Sequence, residues 1–184
     1  SRYFSHKKEI IELDHYTILY EFYNILTTIN HMDISRRPVR KDDFEQILRW
    51  RNNPETLSTT KDGKVLDYNE HLTWSEKRIE KHDSQPYFAY ILDHSFVAIT
   101  RLDKIIDGLE ISILVSPEWR RKGIAKYTLN DTLNYAGDKF PDTKISAWIK
   151  KDNYPSIKLF TSEYFNYETS LGNFLKYFWA SHSN

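Results

Sequence analysis

Leu109 to Ala125 reads LEISILVSPEWRRKGIA. Branched apolar residues up to Val115 predict a strand, and Ser116-Pro117-Glu118 ends it. A charged loop, Trp119 to Lys122, then leads through Gly123 into a helix running from about Ala125 to Lys139. The first turn of a helix offers unpaired backbone N–H groups and the positive end of a dipole. With Arg120, Arg121 and Lys122 beside it, that turn makes a site for a phosphate or pyrophosphate. Gly123 lets the backbone approach a ligand closely, and Ala125 is small enough not to block it. The spacing fits neither the eight-residue Walker loop nor the dinucleotide GxGxxG. The bland alternative is a solvated basic turn.

Upstream, Tyr87–Leu92, Phe96–Leu102 and Leu109–Val115 read as three strands. Their short connections, Asp93-His94 and Asp107-Gly108, predict an antiparallel meander. Downstream, Lys144–Ile149 is a buried-type strand after a helix, which predicts a parallel neighbour reached by a crossover. A helix over Ile157–Tyr164 follows, and aromatic-rich Tyr167–Trp179 supplies closing strands around Gly172. Before the meander, Ile34–Arg40 reads as a strand. Asp42-Asp43 then opens a helix that Asn52-Asn53-Pro54 ends. A further helix spans Asn69–Glu80, capped by Asp67 or Asn69. The class is α+β (mixed α/β), one central mixed sheet with helices on both faces.

The first 33 residues differ from the rest. Ile11, Ile18, Phe22, Ile25, Leu26 and Ile29 recur at helical spacing, and no Gly or Pro interrupts them. One amphipathic helix is predicted, packed on the domain or offered to a homodimer or an upstream domain. The domains are thus 1–33, a helical extension, and 34–184.

Composition removes whole classes of chemistry. With no cysteine among 184 residues, disulfides, thiolate nucleophiles, zinc fingers and iron–sulfur clusters are excluded. The seven histidines form no H-x-x-x-H pair and no acidic cluster has metal-loop spacing, so no metal is expected. Lys+Arg and Asp+Glu are both 26, which argues against a nucleic-acid platform. No stretch approaches the 18 or so uncharged apolar residues of a membrane span. A cytoplasmic protein is the expectation.

Arg120-x-x-Gly123-x-Ala125 after a strand resembles the R/Q-x-x-G-x-G/A signature of the GNAT N-acetyltransferases. Glu110-Ile111-Ser112 in the preceding strand and Asn153–Phe165 (NYPSIKLFTSEYF) strengthen the likeness. The last stretch is similar to the family's N-x-x-[AS]-I-x-L-[YF]-x-x-x-[GY]-F segment. The resemblance covers about Ile34 to Trp179. A narrower likeness comes from Leu48–Glu55 (LRWRNNPE) and Asn69–Trp74 (NEHLTW). A W-R-N-x-P-E block before an E-H-x-x-W helix is similar to the nucleotide-sugar N-acetyltransferases of bacterial nonulosonic acid pathways. It also occurs in relatives that acetylate protein N-termini or small amines.

The resemblance implies a GNAT-like sheet and acetyl-CoA as acyl donor. The backbone of Val115 and of Arg120, Arg121, Lys122, Gly123, Ile124 and Ala125 would bind the pantetheine arm and pyrophosphate. Asn153 would lie near the thioester end. Direct attack by the acceptor amine suits a chain with no cysteine to acylate. Glu110 stands where the family often has a carboxylate that takes the amine proton. Phe160 departs from the pattern, because the family commonly places there a Tyr that protonates the leaving thiolate. Tyr154 or Tyr164 could replace it; the step could need no acid; or the chain could be a non-catalytic acyl-CoA-binding interaction domain. For the substrate, Arg51, His71 and Trp74 are the candidates: an arginine fork suits a diphosphate, and a Trp face suits a base or sugar. Read blandly, Trp50 and Trp74 are core and His71 is a helix-surface residue.

Overall fold

Asp93 and His94 take φ of 47° and 66°. Two left-handed residues in a row form the tight turn whose twist matches that of the strands it joins. The computed structural model describes residues 33–61 and 63–179, so the expected N-terminal helix lies outside the described residues. The described residues from Ser35 onward make up one compact unit.

The strands are β1 (Ile34–Pro38), β2 (Tyr87–Leu92), β3 (Ser95–Ile105), β4 (Gly108–Val115), β5 (Ile145–Lys150), β6 (Phe165–Leu171) and β7 (Phe174–Trp179). The helices are α1 (Phe44–Arg51), α2 (Pro54–Thr59), α3 (Tyr68–Ile79), α4 (Ile124–Lys139) and α5 (Tyr154–Ser162). The sheet runs β1-β2-β3-β4-β5-β7-β6. Within it β2, β3 and β4 form the antiparallel meander, and β4 meets β5 in parallel. The β6–β7 hairpin closes antiparallel on β5. The mixed α/β sheet expected from the sequence is therefore present.

Strand alternation divides the core in two. On one face, Leu109 and Ile111 of β4 and Ile145, Ala147 and Ile149 of β5 pack under Leu129, Leu133 and Ala136 of α4. Phe160 of α5 and Phe165 join this cluster. On the other face, Tyr87, Ala89 and Ile99 pack against Phe44, Ile47 and Trp50 of α1. Buried Arg78 fixes α3 to the sheet by donating to the carbonyls of Gln85, Pro86 and Leu102 and to Asp103.

Two departures from expectation have local causes. The Asp43 carboxylate accepts from Arg37 and from the Arg40 N–H, looking back to β1 rather than capping α1. A 3₁₀ turn over Lys41–Asp43 starts the helix instead. Pro54 does more than stop α1. It opens α2 at the first helical position, where its missing N–H costs nothing, and the Asn53 side chain caps it through the Glu55 N–H at 3.0 Å.

Candidate active site

β4 and β5 share only two rows, Leu109↔Ile145 and Glu110↔Ser146. Both strands continue, to Val115 and Lys150, but their ladder does not. Gly108 sets up this arrangement: at φ 140° a Cβ there would sit 2.1 Å from the Lys144 carbonyl oxygen, so only glycine lets the strands start so close. Past Glu110, β4 is paired to β3 alone, and Ser112 to Val115 are only half-buried although the strand is central. In open sheets containing parallel strands, ligands bind at such carboxyl-end crevices.

The loop after β4 faces this opening. Ser116 Oγ donates to the Glu118 carboxylate at 2.7 Å, a bond that holds Glu118 below the usual carboxylate range. Arg121 and Gly123 take left-handed φ of 59° and 82°, which bends the backbone into a concave turn. α4 then begins at Ile124 with no side-chain cap and no acidic residue in its first turn. Its leading amides are thus not claimed by a capping side chain, and the donor set fits an anion such as a CoA diphosphate. The side chains are less available than the backbone. Lys122 Nζ lies 4.6 Å over the Trp119 ring. The Arg120 guanidinium donates to the Glu55 carboxylate and to Thr56 Oγ1, tying this loop to α2.

Side-chain bonds anchor α2 and, separately, Leu66. Lys150 Nζ donates to the Ser58 carbonyl at 2.9 Å. The Asn52 side chain grips Leu66 from both sides, accepting from its N–H at 2.8 Å and donating to its carbonyl at 2.9 Å. Between these anchors Lys61 Nζ stands 3.6 Å from Glu110 Oε1. Glu110 is half-buried on the same face of β4 as Ser112 and Leu114.

A cavity of about 370 Å³ opens beside Ser112–Leu114, between α1, α3 and the meander. Arg51, His71 and Trp74, singled out from sequence, all line it, as do Glu70, Tyr87 and Arg101. His71 is buried, not a surface residue, whereas Trp50 belongs to the core as its bland reading has it. His71 Nε2 is 3.0 Å from the Phe44 carbonyl oxygen, which can only accept, so Nε2 carries the proton and Nδ1 the lone pair. Burial, with a smaller contribution from nearby Arg51, lowers the His71 pKa, and the ring is neutral near pH 7. Trp74 is 40% exposed, with Arg101 stacked 5.2 Å from its ring centre. Burial pushes the Tyr87 phenol up to about 12, so it stays protonated.

The remaining expected residues are scattered. Asn153 Oδ1 accepts from the Ser156 N–H and caps α5. Phe160 is buried against Phe165, ring centres 4.9 Å apart, as a core residue. Tyr154 and Tyr164 are exposed at opposite ends of α5. Glu70, Tyr87 and Arg101 were not anticipated. Glu70 precedes His71 on one helical turn and was open to discovery. Tyr87 and Arg101 reach the cavity only because Tyr87↔Arg101 is a cross-strand pair. Among the described residues no group of His, Asp and Glu could hold a metal ion. No described helix is long and apolar enough to cross a membrane.

Comparison with known proteins agrees with this fold. Residues 36–163 match the family model described as an acetyltransferase (GNAT) domain. Acetyltransferase PseH of Campylobacter jejuni is 25% identical over 128 residues, 69% of this chain and 79% of that one. A domain from Methanocaldococcus jannaschii superposes with a TM-score of 0.71 at 24% identity, over 80% of this chain and 97% of that one. C. jejuni N-acetyltransferase PseH in complex with acetyl coenzyme A gives 0.63 at 19% identity, covering 80% and 99%. The match spans β1 to the end of α5, and the chain belongs to the GNAT acetyltransferase family, an N-acetyltransferase that takes its acyl group from acetyl-CoA.

Proposed function

We propose that the acceptor is an amino sugar carried on a nucleotide. The observation that carries this is the cavity beside β4. Two guanidinium groups, Arg51 and Arg101, and the Trp74 and Tyr87 rings line it, against a single carboxylate, Glu70. Arginines suit a diphosphate and aromatic faces suit a base or sugar. A polyamine would call for the reverse balance of charge. The resemblance of the W-R-N-x-P-E block to nucleotide-sugar N-acetyltransferases and the match to acetyltransferase PseH support the same reading.

Acetyl-CoA supplies the acetyl group as an activated thioester. The chain's part is to hold the donor, orient the amine and move protons. The backbone amides from Lys122 to Ala125, leading into α4, bind the diphosphate, the open edge of β4 at Val115 takes the pantetheine arm, and Asn153 lies toward its end. Glu110 takes the proton of the incoming amine, directly or through water. At Phe160 there is no phenol, and a thiol of pKa about 8.5 leaves without much help near neutral pH. Tyr154 and Tyr164 are the phenols closest in sequence to that position.

Release of free CoA from acetyl-CoA, measured with UDP-linked amino sugars, polyamines and N-terminal peptides, tests the assignment. The expected result is a kcat/KM at least tenfold higher for the nucleotide sugar, lost when Arg51→Ala raises its KM. Preference for spermidine or a peptide would overturn it. Glu110→Gln is expected to lower kcat by about 10²–10⁴ at constant CoA affinity.

A further inference from the structure

The amine nearest the proposed base belongs to the protein itself. Lys61 Nζ is 3.6 Å from Glu110 Oε1 and 5.8 Å from the centre of the Trp148 ring. Glu110 sits in the last row that β4 shares with β5, and Trp148 lies two residues further along β5 on the same face as Ser146. The Lys61 ammonium is therefore poised over the point where the two strands part, which is where the donor's acyl end is expected. Arg120 and Lys150, from the two sides of the crevice, both anchor α2, which ends at Thr59, two residues before Lys61. The Lys61 side chain is still 62% exposed, so water and a small ligand can reach it.

We infer that Lys61 is an intramolecular acceptor, acetylated on Nζ by the chain's own acetyl-CoA. This rests on the reading of Glu110 as the base. The ammonium gives one proton to the Glu110 carboxylate, and the freed lone pair forms a bond to the acetyl carbonyl carbon. The carbon–sulfur bond breaks and its electron pair leaves with sulfur. A second proton leaves nitrogen, and the thiolate takes one up. The products are Nε-acetyl-Lys61 and CoA, with one proton released overall. Acetylation removes the charge that pairs with Glu110 and leaves the carboxylate to the external amine.

The test uses the full chain with acetyl-CoA and no added acceptor, read by intact mass and by sequencing the peptide that carries Lys61. The expected result is one acetyl group at Lys61, gained at a first-order rate independent of protein concentration. Lys61→Arg, which keeps the charge at an exposed position but offers no acylatable amine, abolishes the gain. Glu110→Gln slows it by about 10²–10⁴. No acetyl at Lys61 in an enzyme that turns over external amines with a Glu110-dependent kcat would overturn the inference and leave the base assignment standing. Acetyl groups spread over many lysines, at a rate Glu110→Gln does not change, would also overturn it. If Glu110→Gln changes neither acceptor turnover nor Lys61 acetylation, it is the base assignment that fails.

Discussion

His71 shows how far one residue's surroundings decide its chemistry. In sequence it is a histidine on an amphipathic helix, readable as a surface residue or as a substrate contact. In the structure burial holds it neutral, and the Phe44 carbonyl fixes its tautomer. His82 is likewise depressed, chiefly by burial. Both have folded pKa values below the ordinary 6.5. Above that value folded and unfolded chains are both neutral at these rings, and their contribution is fully present. As pH falls below it the unfolded chain takes protons first, so stability declines until the depressed folded values are reached. Denaturant midpoints are thus expected to fall as pH drops through about 6.5, and the double substitution His71→Gln, His82→Gln is expected to flatten that decline. A midpoint that rises on acidification would contradict the assignment. The residue types facing the cavity were partly legible for a related reason. Arg51, His71 and Trp74 stand on two helices whose pattern is local. Arg101 and Tyr87 join them through strand register, which no local pattern reveals.

At the scale of elements, α3 lines the cavity proposed for the acceptor. The Asp67 carboxylate caps α3 by accepting from the Asn69 and Glu70 N–H groups, at 2.8 and 3.1 Å. Glu70, His71 and Trp74 follow within two turns. Asp67→Ala is therefore expected to cost about 1 kcal/mol and to raise acceptor KM more than it changes kcat. Thermal unfolding and steady-state kinetics on the same variant would show both, and an unchanged KM would separate the cap from the cavity. The strands and long helices were readable because period-2 and period-3.6 patterns persist over them. Helix α2 was not, since six residues opening on a proline carry too little periodicity. Its place rests on Arg120 and Lys150, both distant in sequence.

Over the whole molecule, one mixed sheet separates two jobs. The α4 face supplies packing, and the α1–α3 face supplies the cavity. Leu133 of α4 is buried in the first. Leu133→Ala is expected to cost about 2–5 kcal/mol, read as a drop in denaturant midpoint, with CoA affinity nearly unchanged in the folded fraction. The parallel β4–β5 contact was expected from the crossover helix, but its early end was not. That end depends on how two strands diverge in space, which their residues do not spell out. The proposed CoA site is that divergence together with the uncapped amides beside it. A crystal structure of the chain with CoA tests it most directly. The account predicts the diphosphate against the backbone of Lys122 to Ala125, with the thiol between β4 and β5 facing Glu110. A diphosphate bound elsewhere, or a thiol pointing away from Glu110 and the Arg51–His71–Trp74 cavity, would contradict it.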